Sequence, residues 1–297
     1  VIMRVTENHL ATQYLNNVQN TRQRVADLQS KIASGKRVLK PSDDPRATDG
    51  ILRFQALLEA NEQYQRSNAD GQSFLQATSE TLGSISDSLL GLKGLLVRAN
   101  NSANIETLPS FATSADAILG DLVDMANTRF NGKYIFGGTN TLERPFTLDA
   151  ARTAVTTNPN GIDGVIAYPV GEGITQQSNI PGDEAFQGTT IFDTIIRIRD
   201  TMAAGTIPTA ADIDEVSAQL DYMLTKAGKA GMFVNTMTAN EAFLASQETQ
   251  LRSLLSIEQD TDVAEAITEM KRGELMLDAA LNTMARILPK SLLDFLR

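Results

Sequence analysis

The sequence predicts a mainly α, elongated protein in which nested terminal coiled-coil helices and a long helical bundle enclose a small β-rich inserted domain. Three observations carry this. Apolar residues recur in alternating steps of three and four near both ends of the chain, the pattern of a helix that lays one narrow seam against another. The same pattern runs from Tyr64 to Leu96, far longer than an average globular helix. Residues 131–188, by contrast, hold nine of the 20 glycines and four of the nine prolines, a composition of turns between short strands. The expected domains are therefore 1–40 with 257–297, 41–130 with 189–256, and 131–188.

The first seam reads Ala11, Tyr14, Val18, Thr21, Val25, Leu28 and Ile32. It ends at Ser34-Gly35, where glycine takes the left-handed conformation that closes a helix. Lys40-Pro41-Ser42-Asp43-Asp44-Pro45 then restarts the chain. Asp44 accepts from the first free N–H groups of the next helix, and Pro45 fits its first position, where a missing donor costs nothing. That helix carries Tyr64, Asn68, Gly71, Leu75, Thr78, Leu82, Ile85, Leu89, Leu92 and Leu96 on one seam, with Asn68, Gly71 and Thr78 weakening its middle. Another helix follows Pro109, bearing Ala115, Ile118, Leu122 and Met125.

In the inserted stretch, Tyr134-Ile135-Phe136 and Val165-Ile166-Ala167-Tyr168 lie between the turn signals Asn131-Gly132, Gly137-Gly138 and Asp163-Gly164. Helical pattern resumes at Ile191–Met202 and again from Pro208 to about Ile257. Ser256 to Asp262 breaks the phase. A last helix carries Val263, Ile267, Met270, Glu274, Leu277, Leu281, Met284 and Leu288, which Pro289 stops or kinks. The apolar Leu292, Leu293, Phe295 and Leu296 close the chain.

Composition excludes several roles. Net charge is −10 with a pI near 4.7, whereas a nucleic-acid surface needs a basic stripe. No cysteine is present, so there is no disulfide framework, thiolate site or cysteine nucleophile. No apolar run is long enough to span a membrane. The first ten residues include Arg4, Glu7, Asn8 and His9 and lack the apolar core of a secretory signal. The expectation is a protein that stays inside the cell or leaves it without a cleaved signal.

No catalytic constellation emerges, and no catalytic, cofactor or metal residue is assigned. His9 is the single histidine and has no triad partners. Asp43 and Asp44 precede a proline-started helix and read as caps, as do Asp260 and Asp262. Asp121 and Asp124 share a helix face but lack a second ligand cluster. Gly137-Gly138 and Gly171-Glu172-Gly173 lack the spacing that cradles phosphate. The methionines fall on seams.

What remains is assembly. Residues 1–40 carry seven basic and two acidic residues, net +5, and residues 257–297 carry five and eight, net −3. That balance favours pairing of the two ends. Helices of about 20–25 residues are marginal alone, and pairing covers only one seam on each. Leu10, Ile257, Leu275, Ile287 and the terminal apolar cluster stay uncovered, which marks a contact surface. The interface residues expected are Tyr14, Val18, Val25, Leu28 and Ile32 against Ile267, Met270, Leu277, Leu281 and Met284, with Leu292, Leu293 and Phe295 alongside. Gly35, Pro41, Asp44 and Pro45 shape the turn. A charge at position 281 is expected to cost several kcal/mol there.

Four segments resemble the flagellin superfamily: Ser34 to Pro45; Phe130-Asn131-Gly132-Lys133-Tyr134-Ile135-Phe136-Gly137-Gly138; Val170 to Gly173 followed by Asn179-Ile180-Pro181-Gly182-Asp183-Glu184-Ala185-Phe186; and Glu258 to Ala266 with Ser291 to Leu296. Their combination, in this order, is specific. The two prolines at 41 and 45 are closer to the hook–filament junction branch than to filament flagellin. The resemblance implies a terminal coiled-coil domain, a helical second domain and a β-rich outer domain. It implies unfolded export through the flagellar type III channel without a cleaved signal peptide, and an extracellular place in the flagellum. The implied partners are hook-associated protein 1, flagellin, copies of the chain itself in a ring, and a cytoplasmic flagellar export chaperone. Filament flagellin is the nearest alternative, and a cytoplasmic coiled-coil adaptor is the alternative of another class. The short β-rich segment leaves little material for receptor recognition.

Overall fold

The computed structural model describes the backbone of residues 2–293 and the side chains of residues 9, 12–101 and 105–284. The chain is mainly α. Its helices are α1 (Ile2–Ser34), α2 (Pro45–Ala99), α3 (Leu108–Ala126), α4 (Gly182–Phe186), α5 (Thr190–Ala203), α6 (Ala210–Gln259) and α7 (Val263–Leu293). At 55 residues, α2 is about 80 Å long. Pro109 sits at the start of α3, where its absent donor is harmless. Of the stop or kink expected at Pro289, the stop does not occur, since α7 continues to Leu293; one proline inside a helix forfeits a single ladder bond.

Between α3 and α4 lie three separate antiparallel pairs: β1 (Arg129–Phe130) with β2 (Lys133–Tyr134), β3 (Phe146–Leu148) with β4 (Val155–Thr157), and β5 (Ala167–Gly171) with β6 (Ile174–Gln177). Asn131 and Gly132 join β1 to β2 with φ of 48° and 77°. That is the turn whose twist matches the flanking strands. Ile135 and Phe136 belong to a turn rather than a strand, and both are buried.

The chain divides into two compact units, Val1–Glu59 with Glu248–Arg297 and Ala60–Gln247. In the second, the seam of α2 from Leu75 to Leu96 is fully covered. It meets Leu108, Leu119 and Leu122 of α3, Ile191, Ile195 and Ile198 of α5, and Val216 and Met223 of α6 in one continuous core. Four rings from the irregular stretch and α5 fill one end of it. Phe186 lies 5.0 Å from Phe136, 4.9 Å from Phe146 and 5.3 Å from Phe192, centroid to centroid.

Ion pairs staple the irregular stretch to the helices of this unit. Asp116 of α3 receives Arg152 at 2.9 Å and Arg199 at 2.9 Å. Glu184 of α4 receives Lys226 at 2.8 Å and Lys229 at 2.7 Å from α6. Burial alone would raise both carboxyls, but the facing cations and their hydrogen bonds outweigh it and hold them below their ordinary values of 3.8 and 4.5. Asp212 behaves alike, with burial opposed by Arg197 and Thr209. A carboxyl with a depressed folded pKa adds stability above its unfolded pKa, and loses it as pH falls through the folded value. The melting temperature is therefore expected to stay flat from about pH 7 to 5 and to fall steadily below roughly pH 4. Circular dichroism melts across that range check it; a fall that begins near neutrality would mean other groups dominate.

Candidate assembly interface

In the first unit, α1 and α7 pack side by side. They are antiparallel, because the chain just after α1 pairs with the chain just before α7. Lys36 and Asp260 form an antiparallel β-bridge, the Arg37 N–H donates to the Gln259 carbonyl at 2.7 Å, and the Thr261 N–H donates to the Gly35 carbonyl at 3.0 Å. Gly35, with φ of +70°, takes the left-handed turn that a side chain resists. Breaking the helical phase between Ser256 and Asp262 thus frees backbone groups for this clasp.

The Lys-Pro-Ser-Asp-Asp-Pro turn completes it. Asp43 Oδ2 accepts from the N–H groups of Leu39 at 3.1 Å and Lys40 at 2.9 Å. Asp44 Oδ1 accepts from Ala47 N–H at 3.0 Å at the start of α2. Arg37 donates to Asp44 Oδ2 at 3.0 Å and to the Glu258 carbonyl at 2.9 Å. The Ala47 N–H, and after it the Arg37 guanidinium, hold the Asp44 carboxyl below its ordinary 3.8. Beneath lie Val38, Ala47 and Ile51, with Leu255 against them. Asp262 Oδ1 caps α7, accepting from Ala264 at 2.9 Å and Glu265 at 3.0 Å. Pro41 lies exposed in the turn, and Pro45 is the first residue of α2.

The candidate seam residues divide by how far the chain covers them. Val25 and Leu28 are buried. Val18, Ile32, Met270, Leu277 and Met284 are half-buried. Tyr14, Ile267 and Leu281 are exposed, at 40%, 41% and 49%. Leu292, Leu293 and Phe295 lie outside the described side chains. The covered line on α7 runs through Ala266, Met270, Gly273, Leu277, Ala280 and Met284, one position off from Ile267, Glu274 and Leu281. Gly273 explains the offset. A Cβ there would sit 2.7 Å from Val25 Cγ2, so the helices approach closely where one has no side chain. A search for large apolar residues passes over such positions; the small residues one heptad apart, Ala266, Gly273 and Ala280, are the available signal.

Further apolar side chains of this unit stay in solvent. Besides Tyr14, Ile267 and Leu281, exposed residues of this unit include Leu15, Leu254, Ile257 and Leu275, the last two at 70%. An uncovered apolar set of this extent marks a contact site.

Among the described residues, no group of three or more His, Cys, Asp or Glu is placed to hold a metal, and no helix is long and apolar enough to cross a membrane. His9 is exposed. Asp124 pairs with Arg144 at 3.8 Å, while Gly171 ends β5 and Glu172-Gly173 form the turn into β6.

Known proteins agree with the resemblance read from the residues. A sequence model of the bacterial flagellin N-terminal helical region matches residues 5–141. Flagellar hook-associated protein 3 of Escherichia coli is 23% identical over 269 residues, covering 87% of this chain and 84% of that protein. Among solved structures, FlgL of Bacillus cereus is 25% identical with a TM-score of 0.57, over 67% of this chain and 97% of that one. A protein of Vibrio parahaemolyticus described as a flagellar hook-associated protein has a TM-score of 0.64 at 18% identity, over 73% of this chain and 99% of its own. The chain resembles the flagellin superfamily through its N-terminal region, and over most of its length it resembles flagellar hook-associated protein 3.

Proposed function

We propose that this protein is a structural subunit of the bacterial flagellum at the hook–filament junction, and that it acts by packing into a tube wall and catalyses nothing. The observation that carries the reading is the uncovered apolar set of the first unit: Tyr14 of α1, Ile257 of α6, and Ile267, Leu275 and Leu281 of α7 are exposed in the lone chain. Burying that set needs neighbours, and burial of apolar surface is the main drive for such packing. Residues 1–40 and 257–297 are the wall-building part. Copies of the chain form a ring that contacts hook-associated protein 1 on one side and flagellin on the other. The chain travels unfolded through the flagellar export channel to the cell exterior without a cleaved signal, and a cytoplasmic chaperone guards its last helix beforehand. Terminal helices that are marginal on their own suit that route, because each relies on packing against another surface.

Deleting the gene and imaging the cells tests this. Hooks without filaments, with flagellin monomer released into the medium, are expected. Normal filaments on the deletion strain would overturn the junction role.

A further inference from the structure

The seam of α2 carries two asparagines where apolar residues are the rule. Asn61 is 2% exposed and Asn68 0%. Both belong to the unit Ala60–Gln247 and both reach α6. The Asn61 amide donates to Gln247 Oε1 at 2.9 Å and to the Leu244 carbonyl at 3.3 Å, while its own oxygen accepts from Gln65 at 2.9 Å. Asn68 donates to the Met237 carbonyl at 2.9 Å and accepts from Asn240 at 3.3 Å, and Asn240 donates onward to the Val170 carbonyl of β5 at 3.0 Å. Asn61 and Asn68 are one heptad apart on α2; Asn240 and Gln247 are one heptad apart on α6. The two helices therefore carry matching polar rungs at one spacing.

Just beyond the second rung sits a shape key. A Cβ on Gly71 would lie 2.7 Å from Met237 Cε and 3.2 Å from Ser178 Cβ, so Met237 fills the space the glycine leaves. We propose that the two rungs and the Gly71–Met237 fit are a register lock, which selects one antiparallel alignment of α2 and α6 over alignments slipped by a heptad. Buried polar residues on a coiled-coil seam choose register at the expense of stability. A heptad repeat alone cannot choose, because a slip of seven returns every seam residue to a seam position. A slip one way sets Asn240 against Leu75; a slip the other way sets Asn68 against Phe233. Either leaves a buried amide facing a hydrocarbon, and Met237 then meets Thr78 or Tyr64 in place of Gly71. Unmade hydrogen bonds of buried groups are what makes the slipped states unfavourable.

The absence of cysteine makes the test clean in the full chain. Gln72 donates to Thr238 Oγ1 at 2.9 Å, so Gln72→Cys with Thr238→Cys reports the native alignment. Gln72→Cys with Ala245→Cys, or with Gly231→Cys, reports the two one-heptad slips. In the otherwise native chain only the first pair is expected to cross-link under mild oxidation. With Asn61, Asn68, Asn240 and Gln247 all replaced by Leu, the slipped pairs are expected to gain roughly tenfold in yield while the helical signal persists. If the slipped pairs stay at background in that variant, the lock lies elsewhere. Loss of the helical fold in the Leu variant overturns the proposal too, because the rungs would then support folding and not choose register.

Discussion

Replacing Leu281 with Asp is expected to leave the isolated protein folded and to abolish assembly. Leu281 is 49% exposed on α7, so in the lone molecule the new carboxylate stays hydrated. Surface changes of that kind move stability by about 0.5 kcal/mol or less. In a packed wall the same carboxylate would lose its water without gaining a partner, at a cost of several kcal/mol. Leu277→Asp is the contrast. Leu277 lies half-buried on the covered line, so a charge there weakens the pairing of α1 and α7 within one chain as well. Two measurements separate the cases: thermal melts of the purified variants, and electron microscopy of cells that make them. The expected pair of results for Leu281→Asp is an unshifted melt with flagellin secreted and filaments missing. Normal filaments would remove Leu281 from the interface.

Phe186→Ala is expected to destabilise the second unit by about 3–5 kcal/mol, the usual cost of deleting a buried ring and leaving a cavity. Phe186 is fully buried and touches three other rings. Its helix α4 has five residues, too short to hold itself together, so this ring and the Glu184 pairs anchor it. At about 2–4 °C per kcal/mol, the melting temperature drops by roughly 10 °C. Phe186→Leu keeps most of the volume and is expected to recover part of the loss. If Phe186→Ala melts like the parent, the aromatic cluster is not the anchor of the irregular stretch.

How much of this was readable from residues depends on the range of the interaction. Local signals translate directly. Gly35 ends α1, Asp44 accepts the Ala47 N–H at the start of α2, Pro109 opens α3, and Asn131-Gly132 turns β1 into β2. Each depends on a residue's own dihedral limits or on a hydrogen bond to a near neighbour, so no distant part of the chain is needed. Strands were harder. The stretch 131–188 announced turns, yet β3, β4 and β6 went unmarked and Ile135-Phe136 proved to be a buried turn. Strands of three or four residues carry too few alternations to show a period, and Phe136 packs edge-on against the distant ring of Phe186.

By itself, then, the order of residues marked most of the helix boundaries, the stretch that is broken by turns, and the apolar seams near both ends of the chain. These are consequences of spacing, dihedral preference and composition, and they hold before any two elements meet. The tertiary structure alone decided which seam residues the chain covers for itself. That choice turned on close approach at Gly273, which put Ala266, Gly273 and Ala280 in the covered line beside Met270, Leu277 and Met284 and left Ile267 and Leu281 in solvent. It also decided that Asn61 and Asn68, weak points in a hydrophobic pattern, are satisfied from α6. The physical reason is common to both: a residue's neighbours across an interface depend on interhelical distance and register, and neither quantity is written in the spacing of a single strand of residues.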